Sequence, residues 1–164
     1  MNIKSISQVD VKNKLVLFRP DINSPINKEG KIINFNRINQ TLETLNYLLN
    51  NRARVAIIAH QGDVLDYQNL IPLEEHAKIL SELTGKNIAY IDDVCGDAAI
   101  EKIKKIKNGE AIILGNLRYL AEEMSSFENY VQLNPEDMKK VYLIRRLAPL
   151  FDLYVNDAFA AAHR

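Results

Sequence analysis

Short apolar runs rich in β-branched residues alternate along the chain with longer segments of helical period. Five such runs occupy residues 15–18, 55–59, 88–91, 111–114 and 153–155. Each run is continuous rather than alternating, which is typical of strands that are covered on both faces. Strands separated by helices indicate βαβ units and a parallel sheet. The pattern therefore predicts an α/β fold: a three-layer α/β/α, Rossmann-like arrangement around a mainly parallel sheet.

The segments between the runs predict helices. In residues 36–50, apolar side chains recur at spacings of three and four and so share one helical face: Ile38, Leu42, Leu45 and Leu49. Residues 73–84 and 97–107 repeat this period. Residues 122–134 have no clear period and predict an irregular excursion. A last helix is predicted for residues 135–147, where apolar residues again recur at helical spacing.

Composition narrows the class of protein. The 164 residues suit one domain, and 47% hydrophobic with 26% charged residues is typical of a globular protein rather than a disordered or fibrous one. Basic and acidic side chains balance at 21 each, so no bulk field favours nucleic acid or a membrane surface. The polar amino terminus does not resemble a signal peptide, and no run is long enough to span a bilayer. We expect a cytoplasmic protein without nucleic-acid or membrane partners.

Polar residues follow four of the apolar runs. They are Asp21 and Asn23 after the first run, His60 and Asp63 after the second, Asn116 and Arg118 after the fourth, and Arg164 after the last. Arg37 begins the first helix. Because ligands of open parallel sheets bind at the carboxyl ends of strands, these side chains are expected to meet at one rim. Arginine forks match phosphate and carboxylate oxygens, so the rim predicts a site for a small phosphorylated carboxylate.

Simpler interpretations exist for each residue alone. An arginine at a strand end is more often part of a surface ion pair, and a lone His60 more often satisfies a backbone carbonyl. Asp92 and Asp93 suit a turn better than a metal site, and Cys95 suits a small buried hydrophobe better than a nucleophile. Glycine-rich nucleotide motifs do not occur. We therefore predict neither a metal site nor a nucleotide site in this chain.

Taken in order, four strand-end motifs resemble phosphoglycerate kinase of the archaeal kind. Residues 16–25 read VLFRPDINSP, residues 59–62 read AHQG, residues 114–119 read LGNLRY, and residues 155–164 read VNDAFAAAHR. The resemblance implies reversible phosphoryl transfer between 1,3-bisphosphoglycerate and ADP, giving 3-phosphoglycerate and ATP, a step of glycolysis and gluconeogenesis. It also implies that residues 1–164 are an incomplete amino-terminal, 3-phosphoglycerate-binding domain of a two-domain kinase.

The resemblance implies partners for this domain as well. A second domain, absent from this chain, would hold ATP or ADP with Mg²⁺ across a hinged cleft, so the chain alone is expected to be inactive. Carried over by motif, Asp21 and Asn23 would contact the hydroxyl and carboxylate region of the glycerate. Four basic residues would surround its phosphate and carboxylate: Arg37, His60, Arg118 and Arg164. Arg37 is also the candidate catalytic residue, stabilising the transferring group.

Three residues depart from the family pattern. Asp63 stands where the family's loop carries an arginine, Gly115 replaces a glutamate, and Pro20 replaces an aliphatic residue. A carboxylate at position 63 would face the anion with the wrong sign of charge. Two alternatives therefore stand beside the kinase interpretation: a related enzyme acting on a different acyl phosphate, with Asp63 as an altered substrate contact, and a non-catalytic anion-binding module.

Overall fold

The sheet has five parallel strands in a computed structural model that describes residues 3–62 and 67–162. The strands are β1 (Leu15–Arg19), β2 (Arg54–Ile57), β3 (Ile88–Tyr90), β4 (Ala111–Ile113) and β5 (Leu153–Asn156). They lie in the order β3-β4-β2-β1-β5, and every described pairing is parallel. All five predicted strands are present, and the predicted parallel sheet is confirmed. Asp63 and Arg164 lie outside the described residues.

Helices cover both faces of this sheet. They are α1 (Asn36–Asn50), α2 (Glu74–Thr84), α3 (Asp97–Lys104), α4 (Ser125–Tyr130), α5 (Pro135–Met138) and α6 (Tyr142–Leu147). Successive side chains of a strand point to opposite faces. In β1, Val16 and Phe18 accordingly pack in the core that includes residues of α1 and α2, while Leu15 and Leu17 pack in the core that includes residues of α3 and α6. The predicted three-layer α/β/α architecture is confirmed.

The two cores differ in how completely they are sealed. On the α1 and α2 side, Val16, Phe18 and Ile57 are 0% exposed. On the other side, Leu17 keeps 9% of its surface exposed and borders an apolar cavity of about 370 Å³ beside α6 and β5. Within residues 3–62 and 67–162, no helix is long and apolar enough to cross a membrane.

The last predicted helix is wrong as a single element. Residues 135–147 form two short helices, α5 and α6, because Val141 between them is extended with φ −63° and ψ 154°. The N–H of Tyr142 donates to Glu122 Oε1 at 3.0 Å, so a side chain from a separate segment satisfies the first donor of α6. The excursion before it contains a 3-10 turn, Ala121–Glu123, and α4. A tertiary contact overrides the local helical period here.

Candidate functional site

Four neighbouring strands, β4, β2, β1 and β5, direct their carboxyl ends to one edge of the sheet. Loops from all four meet there around a cavity of about 210 Å³. The side chains that line it are Asp21, Asn23, Arg37, His60, Arg118, Ala158, Ala160 and Ala161. Five of the six predicted substrate-binding residues therefore share one cavity, and the sixth, Arg164, lies outside the described residues. The alanines come from the loop after β5 and were not among the predicted site residues.

Arg37 stands at the rim of this cavity. Its side chain is 50% exposed, and Nη1 donates to Asp21 Oδ2 at 2.6 Å. The carboxylate holds one side of the guanidinium fork. Arg37 and Asn23 also line a second, adjoining hollow of about 300 Å³, bounded in addition by Gln61 and Gly62. Arg37 is thus a cation with a fixed anchor and solvent access, as binding a charged ligand requires.

The backbone of the loop after β2 packs closely against neighbouring backbone at Gly62. The N–H of Gly62 donates to Asn23 Oδ1 at 3.1 Å, which links this loop to the one after β1. Gly62 has φ +75°, and a Cβ there would lie 2.4 Å from the backbone carbonyl carbon of Asn69. Both the backbone angle and the space available require glycine at this position.

Buried amide side chains connect three of the loops. Gln61 Oε1 accepts from the N–H of Ser24 at 2.8 Å, and Gln61 Nε2 donates to the Ser24 carbonyl at 2.9 Å. The side chain of Asn116 bonds to the backbone of Gln61 in the same two-sided way, at 3.2 Å and 2.8 Å. Ser24, Gln61 and Asn116 are each at most 3% exposed. We call these three residues, with His76, the amide brace.

His76 joins the amide brace from α2. It is 0% exposed, and its Nε2 lies 3.2 Å from Gln61 Oε1. Because a carbonyl oxygen can only accept, Nε2 is the ring nitrogen that carries the proton. Burial lowers the pKa of His76 to about 4, an effect that the hydrogen-bonding carbonyl of Ile22 only partly offsets. His76 is therefore neutral near pH 7, and the amide brace carries no net charge.

A second buried assembly in the same region is charged. Arg19, at the end of β1, donates through Nη1 and Nη2 to the two carboxylate oxygens of Glu123, at 3.0 Å and 2.6 Å. Both side chains are 6% exposed. Burial alone would lower the pKa of Arg19, but the charges and hydrogen bonds of Glu123 and Tyr154 together outweigh it, so the pKa is raised. Arg118 Nη1 donates to the backbone carbonyl of Glu123. We call Arg19, Arg118 and Glu123 the arginine clamp.

Glu123 could not be identified from sequence spacing, because it lies in the segment without a helical or strand period. The only signal was its position shortly after Arg118. Its carboxylate binds Arg19. This buried pair gives Arg19 a structural role and leaves it outside the residues that line the 210 Å³ cavity.

Close packing accounts for Gly115, the second departure from the family pattern. Its N–H donates to the Asp93 carbonyl at 3.0 Å, and a Cβ at position 115 would lie 3.2 Å from the backbone of Asp93 and from Val94 Cγ2. A side chain at position 115 would require these neighbours to shift by a few tenths of an ångström. The neighbouring Cys95 is 1% exposed, and burial and the charge of Asp93 raise its thiol pKa to about 11, which suits the predicted role of a buried hydrophobe.

Among the residues that the structure describes, no group of three or more His, Cys, Asp or Glu side chains could hold a metal ion. Asp93 instead accepts hydrogen bonds from the N–H groups of Gly96 and Ala99 at the start of α3, at 2.8 Å and 2.9 Å. Its carboxylate serves a helix terminus.

The fold and the strand-end cavity define a parallel α/β domain that gathers arginine, histidine and amide side chains at the carboxyl ends of its strands. Residues 6–164 match the family model described as phosphoglycerate kinase, and the chain belongs to the phosphoglycerate kinase family. This confirms the family that the four motifs indicated.

Similarity to individual phosphoglycerate kinases supports this family assignment. The phosphoglycerate kinase of Sulfurisphaera tokodaii is 46% identical over 100% of this chain. The crystal structure of phosphoglycerate kinase from Pyrococcus horikoshii superposes with a TM-score of 0.87 at 41% identity, over 99% of this chain. The phosphoglycerate kinase structure from Coxiella burnetii gives 0.75 at 31% identity, over 99% of this chain. The chain spans 38% of the length of the first two relatives and 37% of the third.

Proposed function

We propose that this chain is the 3-phosphoglycerate-binding domain of a phosphoglycerate kinase, which transfers a phosphoryl group reversibly between 1,3-bisphosphoglycerate and ADP. The observation that carries the proposal is the convergence of five predicted substrate-binding residues on one cavity in a chain of this family. In a protein with no net charge, three basic side chains at one strand-end cavity favour a doubly anionic ligand.

Each residue has a proposed task. Arg118 and His60 bind the phosphate or carboxylate of 3-phosphoglycerate, and Asp21 and Asn23 bind its hydroxyl and carboxylate region. Arg37, half exposed and anchored by Asp21, also neutralises charge on the transferring phosphoryl group, which makes it the proposed catalytic residue. Arg164 completes the basic set in this proposal.

Nucleotide and metal belong to another part of the parent protein in this proposal. ATP or ADP with Mg²⁺ supplies the phosphoryl donor or acceptor and neutralises its charge, and a second domain holds both. The present chain contributes substrate binding and orientation, so phosphoryl transfer requires the two domains together. The proposed setting is cytoplasmic glycolysis or gluconeogenesis.

Binding of 3-phosphoglycerate to this chain is the direct test, by calorimetry at low ionic strength. We expect binding by the unmodified chain, and a loss of roughly tenfold or more in Arg118→Lys, which keeps the charge but not the planar fork. Arg145 is an exposed arginine on α6. The variant Arg145→Gln is therefore the matched control and should bind 3-phosphoglycerate as the unmodified chain does. Absence of binding, together with no transfer from 1,3-bisphosphoglycerate to ADP by the parent protein, would reject the proposal.

Asp63 remains the one departure that bears on substrate choice. If it is a substrate contact of altered specificity, Asp63→Arg should change affinity for 3-phosphoglycerate relative to other phosphorylated carboxylates. If the unmodified chain and Asp63→Arg show the same relative affinities for these ligands, 3-phosphoglycerate is the better supported substrate. The structure offers no specific observation in favour of a different acyl phosphate or a non-catalytic role.

A further inference from the structure

The loops that carry the candidate substrate residues share a buried polar framework. Asn23 precedes Ser24 in the loop after β1, His60 precedes Gln61 in the loop after β2, and Arg118 follows Asn116 by two residues in the loop after β4. Three of the predicted ligand contacts, Asn23, His60 and Arg118, therefore lie within two residues of a member of the amide brace. The brace residues themselves are buried, and none of them lines the 210 Å³ cavity.

The geometry of the amide brace restricts relative motion of the loops. Two parallel hydrogen bonds between an amide side chain and a backbone fix orientation as well as distance, as one bond alone does not. Two such pairs occur in series: the side chain of Asn116 on the backbone of Gln61, and the side chain of Gln61 on the backbone of Ser24.

Further bonds tie the ends of this series to the site. Asn116 Oδ1 also accepts from the N–H of Arg118 at 3.0 Å, and Asn116 Nδ2 donates to the carbonyl of Ile71 at 2.9 Å. At the other end, Ser24 Oγ donates to the Ile22 carbonyl at 3.0 Å. The loops after β1, β2 and β4 thus form one connected unit.

We infer that Gln61 and Asn116 are positioning residues, which hold Asn23, His60 and Arg118 in a preformed arrangement so that substrate binding does not require the loops to be ordered first. This inference rests on the proposed function for the identity of the ligand. Preformed sites bind more tightly because the entropy of ordering the contacts is lost during folding rather than on binding.

Two near-isosteric variants separate positioning from mere stability. Asn116→Leu removes the links from Asn116 to Gln61, Arg118 and Ile71. Gln61→Met removes the links to Ser24 and His76 and keeps the backbone bonds to Asn116. Ser81→Ala is the matched control, because the Ser81 hydroxyl makes similar bonds, to the Ile88 N–H at 2.9 Å and to the Ala77 carbonyl at 2.7 Å, away from the cavity.

The first readout, amide hydrogen exchange, needs no ligand. In Asn116→Leu we expect the N–H groups of Gln61 and Arg118 to exchange faster because they lose their acceptor. If the brace is one unit, the N–H groups of Ser24 and Gly62 should also exchange at least about tenfold faster, while amides of β1 keep their protection. Acceleration confined to Gln61 and Arg118, or equal throughout the sheet, would overturn the inference.

The second readout is affinity for 3-phosphoglycerate at a temperature where circular dichroism shows every variant folded. We expect roughly a 10- to 100-fold loss in both Asn116→Leu and Gln61→Met, and a change of about twofold or less in Ser81→Ala. Loosened loops with unchanged affinity would also overturn the inference. If the unmodified chain does not bind although the exchange pattern is as expected, the proposed function fails and the coupling of the loops stands. If Asn116→Leu does not fold, Gln61→Met decides both readouts.

Discussion

The amide brace and the arginine clamp hold adjacent parts of one site by different physics. The brace is neutral: Gln61 and Asn116 form paired hydrogen bonds with backbone groups, and its histidine is uncharged. The clamp buries the charged pair Arg19 and Glu123 side by side, with the second buried cation Arg118 next to them. Amide hydrogen bonds are individually modest and depend little on conditions. A buried ion pair returns little net stability because desolvation of both charges is costly, but loss of one partner leaves an uncompensated charge. The two assemblies should therefore fail in different ways.

Removing one charge of the arginine clamp should produce the largest effect. Glu123→Gln keeps the shape of the side chain but leaves Arg19 charged and buried, so we expect a loss of about 3–5 kcal/mol in the free energy of unfolding, measured by urea denaturation. The double variant Arg19→Met with Glu123→Leu should lose far less.

Glu101→Gln is the surface control for this prediction. Glu101 pairs with Lys105 at 2.5 Å, but both side chains are about two-thirds exposed, at 69% and 66%. No measurable change in stability is expected there. A loss in Glu123→Gln no larger than in Glu101→Gln would show that the buried pair does not have the role assigned to it.

Acid should expose the one titratable member of the amide brace. The native pKa of His76 is about 4, against an ordinary value of 6.5, so the unfolded chain binds the proton first as pH falls. The stabilisation that His76 gives is complete above pH 6.5 and decreases as pH falls toward 4, by about 3 kcal/mol in total.

The contribution of His76 to stability is measured by comparing the free energy of unfolding at pH 7 and pH 4.5 in the native chain and in His76→Gln. The glutamine variant should be less sensitive to acid over that interval. Equal pH dependence in the two proteins would contradict the assignment of a neutral, buried imidazole.

Substitutions at Gly62, in a crowded loop, and at Gly85, in an open one, should differ in their cost to stability. Gly85 ends α2 with φ +65° and has open space where a Cβ would be, so Gly85→Ala should cost about 1 kcal/mol from backbone strain alone. Gly62→Ala adds a Cβ only 2.4 Å from the backbone of Asn69 and should cost about 1–3 kcal/mol more. Thermal unfolding of both variants measures the difference, and equal costs would mean that the loop after β2 can move aside freely.

Added salt should have the smallest effect on stability, because it screens exposed charges much more than buried ones. Because the arginine clamp is nearly inaccessible to solvent, the difference in stability between the native chain and Glu123→Gln should change by less than about 0.5 kcal/mol between low salt and 0.5 M salt. Urea denaturation at both ionic strengths checks this. A larger decrease would indicate that water and ions reach the pair.

Local periodicity was sufficient for most of the fold. The predicted helix at residues 36–50 has the observed bounds of α1, since the apolar spacing and the packing of Leu45 agree. The predicted strands 15–18 and 111–114 differ from β1 and β4 by one residue. The helix predicted for 97–107 ends earlier, at Lys104. The break at Val141 was not predictable, because it depends on Glu122, a residue 20 positions from the N–H that it accepts from.

The candidate site was predictable where strand topology alone determines position. Residues that follow neighbouring parallel strands must meet at one edge, which is why Asp21, His60 and Arg118 were identified together. Arg37 was placed by its position at the start of α1. Glu123 and Gln61 were not identified, since their importance lies in pairings 104 and 37 residues distant in sequence. Such pairings have no local spacing that would reveal them.

The crowding at Gly62 has a consequence for genetics. In a saturation mutagenesis experiment scored by growth or activity, every amino-acid substitution at position 62 should be depleted about as strongly as substitutions at Arg37. This is expected although a glycine has no side chain with which to bind substrate. Depletion alone would then place Gly62 among the candidate substrate-binding residues. Scoring the same library for abundance as well as activity separates the two, because substitutions at position 62 should lower both and substitutions at Arg37 chiefly the second.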